Sequence, residues 1–386
     1  MIGLRAFKKR VYMQLKKMNR FFVVTASLLA AGLGDTLTTQ AQVGATSVIT
    51  TAAPSLRIPT DARATGMGNT GIATSADATS AYWNVAKAPF AEKQTAISAN
   101  YSPWQQQITS GMYLLGLSAY HRLDTLQAVT ASVRYFNMGN FQLKDADGNI
   151  MQSARPHEMS FDLGYARKLS ERLALGIAFR YINSSLASGT YNGTTYKAGQ
   201  AFAADIGVYY NGHNSEGQGF SAGMAFSNIG SRISYTNDAT HKDFLPANLG
   251  IGAAYTVVPD EENTITFAAD INKLLVPSVP TNAADSAGYY SSGVLKGLGK
   301  GFGNSAWSYG AGVEYTYHKL LSLRAGYFGQ SVSAGDQKGF TAGLGLQFRM
   351  LAINLSYLAP TGNGGTGSQN PLSNTLRFGV VFDFGK

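Results

Sequence analysis

The chain has no cysteine, and only 14% of its 386 residues carry a charge. The first absence removes disulfides, thiolate metal sites and thiol nucleophiles. It also removes the residue on which a lipoprotein carries its lipid. The second places the chain well below the roughly 25% charge of an ordinary soluble domain. Beyond the N-terminal forty residues no apolar run approaches the length of a membrane-spanning helix, about 20 residues. If the mature chain crosses a bilayer, it must do so as a closed β-barrel, because helices and closed barrels alone satisfy their backbone groups in lipid. Only five histidines occur, His121, His157, His213, His241 and His318, and no two stand at H-x-x-x-H spacing, so no metal site or cofactor is expected.

What is present points the same way. The sequence holds 44 glycines, 21 tyrosines and 20 phenylalanines, a mixture suited to strands and to aromatic girdles at a membrane interface. The net charge of +9 is concentrated at the start. Residues 1–41 contain Arg5, Lys8, Lys9, Arg10, Lys16, Lys17 and Arg20 against Asp35 alone, so seven positives less one negative leave +3 for the remainder. The remaining charges form no basic cluster, which argues against nucleic acid as a partner. The same segment reads as a secretory leader. A basic stretch ends at Arg20, an apolar run extends from Phe21 to Leu33, and the small-residue site Thr39-Gln-Ala41 allows cleavage before Gln42. The long basic stretch leaves Met13 and Met18 as alternative starts.

From Thr95 onward, segments of about ten residues alternate apolar and polar side chains, as membrane strands do. Fourteen strands are predicted, near 95–102, 110–120, 126–138, 158–169, 172–183, 200–210, 219–229, 247–258, 263–272, 307–318, 320–329, 339–349, 350–358 and 374–384. In the last, Leu376, Phe378, Val380, Phe382 and Phe384 oppose Arg377, Gly379 and Asp383. The connections alternate in length. Short ones at 123–125, 170–171, 259–263, 318–319 and 349–350 are expected in the periplasm. Long ones at 139–157, 185–199, 230–246, 273–306, 330–338 and 359–373 are expected outside. The glycine-rich end of the last, Thr361 to Gln369, is expected to be mobile. The expected organisation is a leader at 1–41, a plug or hatch segment at 42–94 with short helical turns around Asp77–Ala88, and an all-β, 14-stranded antiparallel transmembrane barrel at 95–386. A soluble β-sandwich would also alternate, but it would not account for the leader and the two loop classes.

Three features invite a chemical reading. Gly66-Met-Gly68-Asn-Thr-Gly71 fits G-x-G-x-x-G, yet the residues before it, from Pro54 to Ala64, are broken by proline and no βαβ unit follows. A tight passage of backbone against the barrel wall is the expected role. Asp260-Glu-Glu262 falls in a turn, where solvated carboxylates are ordinary. No G-x-S-x-G nucleophile motif is expected, and no enzyme signature is read. Arg134, Asp162, Lys168, Arg180, Asp205, Asp270, Glu314, Arg324, Arg349, Arg377 and Asp383 fall on the polar sides of their strands. They are expected to fill the lumen and pin the plug, the alternative being a polar path for solutes.

The segment Ala62-Arg-Ala-Thr-Gly-Met-Gly-Asn-Thr-Gly-Ile-Ala-Thr-Ser-Ala-Asp-Ala-Thr-Ser-Ala-Tyr-Trp-Asn84 resembles the hatch of FadL-type outer-membrane proteins. In that superfamily the Trp/Tyr-Asn pair is generally followed by Pro-Ala, whereas here Trp83-Asn-Val-Ala-Lys87 lacks the proline. Together with Pro54-Ser-Leu-Arg-Ile-Pro-Thr-Asp-Ala-Arg63, that departure resembles the PorV (LptO) family, the outer-membrane barrels of type IX secretion in Bacteroidetes. The resemblance implies a non-enzymatic adaptor that binds the C-terminal signal domains of secreted cargo at the cell surface. It implies three further partners: the large translocon barrel (SprA-like), a sortase-type attachment complex, and the lipopolysaccharide of the outer membrane. Regions 139–157, 185–199, 230–246 and 273–306 are the expected cargo-binding loops. The alternative function is a FadL-like channel for hydrophobic small molecules. A surface hydrolase is a third reading, for which no nucleophile constellation is read.

Overall fold

Residues two apart along a strand share a face, so one face of each alternating segment can meet lipid while the other meets the lumen. The computed structural model describes residues 48–385 except 105–110, 145–149, 192, 239–240, 281–282 and 362–374. Fourteen antiparallel strands form a closed ring. They are β1 (Thr95–Pro103), β2 (Tyr113–Arg122), β3 (Gln127–Asn137), β4 (His157–Lys168), β5 (Leu173–Ser185), β6 (Gly199–Asn211), β7 (Gly219–Gly230), β8 (Asn248–Val257), β9 (Asn263–Leu274), β10 (Trp307–Tyr317), β11 (Leu321–Gln330), β12 (Lys338–Phe348), β13 (Leu351–Pro360) and β14 (Thr375–Phe384). Closure is made by β1 against β14, from Thr95 opposite Phe384 to Tyr101 opposite Phe378.

The outer wall is apolar. Leu163, Phe179 and Phe202 project from it, Leu163 lying directly across from Phe179. Aromatic rings join neighbouring strands near the outer rim. Tyr101, Tyr113, Tyr135 and His157 follow one another at centroid spacings of 6.0, 6.2 and 6.0 Å. On the far side Tyr309, Tyr327 and Phe340 continue the belt.

The periplasmic turns are built locally. Asp124 Oδ1 accepts from the amides of Leu126 and Gln127, and Asp260 Oδ1 from those of Glu262 and Asn263. These are side-chain-closed turns, which gives the Asp260 cluster its ordinary role. His318 and Lys319 both take positive φ, 52° and 56°, in a turn closed by the Leu320 amide on Tyr317 O. Two left-handed central residues match the twist of the flanking strands. Arg349 corrects an expectation. It does not face the lumen but sits exposed in the β12–β13 turn with φ 54°, its guanidinium 5.5 Å from the Phe348 ring centre. The strand alternation ends one residue before it, at Phe348.

The outer loops carry their own structure: Phe141–Lys144 pairs with Ile150–Ala154, Gly189–Tyr191 pairs with Thr194–Tyr196, and helices form at Ala283–Ser291 and Val294–Gly301. The leader expected at 1–41 and most of the glycine-rich stretch after Thr361 lie outside the described residues.

Residues 48–94 run through the lumen from the outer loops to the inner rim. Ile49 packs with Phe244, Val276 and Tyr289 among those loops, while at the other end the amide of Arg122 donates to Gln94 O. Helical turns form at Ser80–Trp83, within the expected stretch, at Val85–Phe90, which runs two residues past its end, and also at Pro54–Arg57 and Ala62–Gly66, where none were expected. Asp61 starts the latter by accepting from the amides of Arg63 and Ala64.

Phe179 lies at the middle of β5 and is 67% exposed on the wall. Phe179→Arg should cost roughly 2–4 kcal/mol if that wall meets acyl chains. The urea midpoint of the folded band on unheated gels measures this, and an unchanged midpoint would contradict the membrane-facing assignment.

Candidate functional site

The plug meets the wall so closely that side chains are missing on both surfaces. Gly68 has φ +73°, and a Cβ there would stand 2.5 Å from Tyr327 O. On the wall, a Cβ on Gly312 would stand 2.3 Å from Met67 O. Gly66 faces Gly343 of β12, and Gly71 is covered by the Trp83 ring. All three glycines of the G-x-G-x-x-G string therefore serve close passage of the plug, with no nucleotide fold around them.

Charge fixes the plug in place. Arg63 bridges Glu314 of β10 and Asp77 of the plug, each at 2.8 Å. Glu314 also accepts from Arg324 Nε at 2.6 Å, and Arg324 Nη1 donates to Asn354. Asp270 Oδ2 accepts from the amides of Gly71 and Ile72 at 2.7 and 3.0 Å. Lys87 is fully enclosed within the plug and donates to Gly71 O at 2.7 Å. Burial pushes its ammonium below the ordinary lysine pKa. Arg180 sits between Asp162 and Asp205 and also donates to Asn228. These paired charges act as a structural network.

Above the plug, open toward the loops, lies a cavity of about 530 Å³. Its floor is the plug, from Pro54 to Thr60. One wall is apolar, built from Trp104, Met112, Phe136, Phe328 and Leu358. Elsewhere Arg57, Arg134 and Arg377 and the amides Asn69, Asn228, Asn248, Asn272, Gln330 and Gln337 stand among further apolar residues, Leu56, Ile58 and Ile72 of the plug included.

Three of the four loops expected to bind cargo reach this cavity or its edge. Region 139–157 contributes Phe141, 230–246 contributes Pro246, and 273–306 contributes Leu274 and Ala306. Region 185–199 gives no lining residue and instead braces its neighbour through the Tyr196–Thr236 bridge. Arg232 ties two rim loops together, donating to Tyr290 O and Ser292 O. Ala334 and Gln337, from the outer loop 330–338, line the cavity although that loop was not among the four. Arg134 and Arg377 were legible as lumen residues; Arg57 of the plug was not. Contrary to expectation, Gly219-Phe-Ser-Ala-Gly223 does spell G-x-S-x-G. Ser221, however, lies within β7, buried, with its hydroxyl on Ala73 O at 2.7 Å. A nucleophile elbow needs a strand-to-helix turn with its serine exposed, and neither is present here.

The family model described as type IX secretion system protein PorV matches residues 40–282. No curated protein matches the chain. Among solved structures, the chain is similar to the monoaromatic hydrocarbon channel CymD, with a TM-score of 0.55 at 11% identity over 85% of this chain and 98% of that one. It is also similar to the Ralstonia pickettii toluene transporter TbuX, with a TM-score of 0.50 at 11% identity over 83% and 97%. A Pseudomonas aeruginosa FadL homologue gives 0.50 at 11% identity over 85% and 99%. At such identities the likeness establishes a shared fold, the FadL-like barrel.

Glu314→Gln leaves Arg63 and Arg324 facing each other without their shared carboxylate and should cost about 3–5 kcal/mol. Arg63→Gln leaves Glu314 paired with Arg324 and should cost less. Urea midpoints of the two variants, with protease sensitivity of the plug as a second readout, check the order.

Proposed function

Because the chain belongs to the PorV family of type IX secretion system proteins, we propose that it is an outer-membrane adaptor for secreted cargo. It binds the C-terminal signal domains of cargo at the cell surface, receives them from the translocon barrel and passes them to the sortase-type attachment complex. The family match over residues 40–282 carries this reading. The geometry is compatible with it. The large cavity opens among the outer loops, while below it the lumen is occupied by plug and by paired charges. A surface receptor needs that asymmetry.

A channel for hydrophobic small molecules is the second reading, favoured by the apolar wall around Trp104 and Phe136. Against it stands the packing beneath the cavity. The space beside Trp83 and Ser227 measures only about 10 Å³, no more than a water molecule requires.

Photo-crosslinkers at Phe141 and Leu295, both exposed on outer loops, should capture cargo C-terminal domains in living cells. Capture of porins alone, or of nothing, would overturn the adaptor reading. Uptake of aromatic hydrocarbons on expression in a permeability-deficient host would favour the channel.

A further inference from the structure

Arg63, Arg180 and Arg324 each have a carboxylate partner, but three guanidinium groups that line the outer cavity do not. Arg134 and Arg377 are 7% and 3% exposed, and Arg57 is half-buried. Among the described residues none of the three forms a salt bridge. They bond instead to backbone oxygens. Arg57 Nη2 donates to Ala334 O at 2.8 Å, Arg134 Nη1 to Ser55 O at 2.8 Å and Ile58 O at 3.3 Å, and Arg377 Nε to Pro59 O at 3.3 Å. Each guanidinium has five N–H donors, so most of its capacity is unused by these bonds. Holding plug carbonyls needs donors but not charge, and a glutamine could do it without burying an ion. Burying a charge is costly unless it is paired. Three such charges around one cavity make it a ready anion receptor, and guanidinium forks match carboxylates in geometry.

The rest of the lining narrows the ligand. An alkyl tail is best held by an unbroken apolar sleeve, but here the apolar side chains, Leu56, Ile58 and Ile72 of the plug among them, are interrupted by three guanidinium groups. The lining also includes the carboxamides of Asn248, Asn272 and Gln330. Carboxamides both donate and accept, which suits the alternating N–H and C=O groups of a peptide backbone. The volume, about 530 Å³, lies in the range of ligand pockets, roughly 300–1,000 Å³. It admits a few residues of chain and no folded domain.

Resting on the adaptor reading above, we infer that the outer cavity is the receptor for an acidic peptide segment of the cargo's C-terminal domain. Its carboxylates meet Arg57, Arg134 and Arg377, and an adjoining apolar side chain lies against Trp104 and Phe136. The folded domain stays outside and presents a loop or terminus to the cavity.

The test uses detergent-purified full-length barrel and a purified cargo C-terminal domain, with the acetylated amide peptides Trp-Asp-Glu and Trp-Asn-Gln and decanoate as competitors. The acidic peptide should displace the domain, the neutral one far less, and added salt should weaken binding. Arg134→Gln and Arg377→Gln should each lower cargo affinity roughly tenfold, the loss of one charge-assisted bond. Arg377→Lys should recover part of it. Variants are compared only where they keep the folded band on unheated gels, and the peptide competition on the unaltered protein needs no variant. Equal displacement by both peptides would overturn the inference and leave the adaptor reading standing, as would unaltered cargo binding by both glutamine variants. Displacement by decanoate with none by the acidic peptide would assign the cavity to a lipid instead. No cargo binding by the unaltered barrel would remove the adaptor reading, and the inference with it.

Discussion

The pairing of β1 with β14 is the contact on which every other part of the wall depends. Inside a bilayer a free strand edge leaves a row of N–H and C=O groups without partners, each costing several kcal/mol. One closing pair removes both edges at once. With an even number of strands it also brings the beginning of β1 and the end of β14 to the same side, where Thr95 faces Phe384. Because the short turns lie on that side too, the opposite rim is left to the long loops, and the molecule acquires an inside and an outside.

The lumen follows from the same geometry. A ring of fourteen strands encloses more space than its own inward side chains fill, and residues 48–94 occupy the difference. The wall adapts by losing side chains where the plug touches, as at Gly312 and Gly343, and by supplying carboxylates where plug amides or cations arrive, as at Asp270 and Glu314. Most carboxylate oxygens that meet the plug are used by this fit, Asp270 Oδ1 being an exception. Near the outer rim the fit is incomplete, and there three arginines without a carboxylate partner line the cavity.

Much of the wall was legible because its signal is local. Alternation with a period of two is written into each segment, and all fourteen strands fall within three residues of their expected limits. The plug's position was legible from its prolines and small residues, but its first two helical turns were not. Pro54–Arg57 and Ala62–Gly66 are too short to show a helical period, and the second is held by a cap from Asp61 rather than by propensity. The cavity was not legible at all. Trp104, Arg134, Phe328 and Arg377 come from four strand ends scattered over nearly three hundred residues, and their convergence exists only after closure. Arg349 failed for a simpler reason: it was counted both with the twelfth strand's polar side and in the 349–350 connection, and a residue in a turn no longer follows the strand's alternation. Ser221 shows the reverse hazard, a motif whose letters fit but whose backbone is that of an ordinary strand.

The route of the N-terminal segment sets an order of events in biogenesis. It stretches from Ile49 among the outer loops to Gln94 at the inner rim and touches nearly every strand on its way. A tether with those attachments cannot be fed into a finished cylinder without dragging dozens of residues through a crowded bore. It must already lie in the groove of an unsealed sheet when the last hairpin swings round.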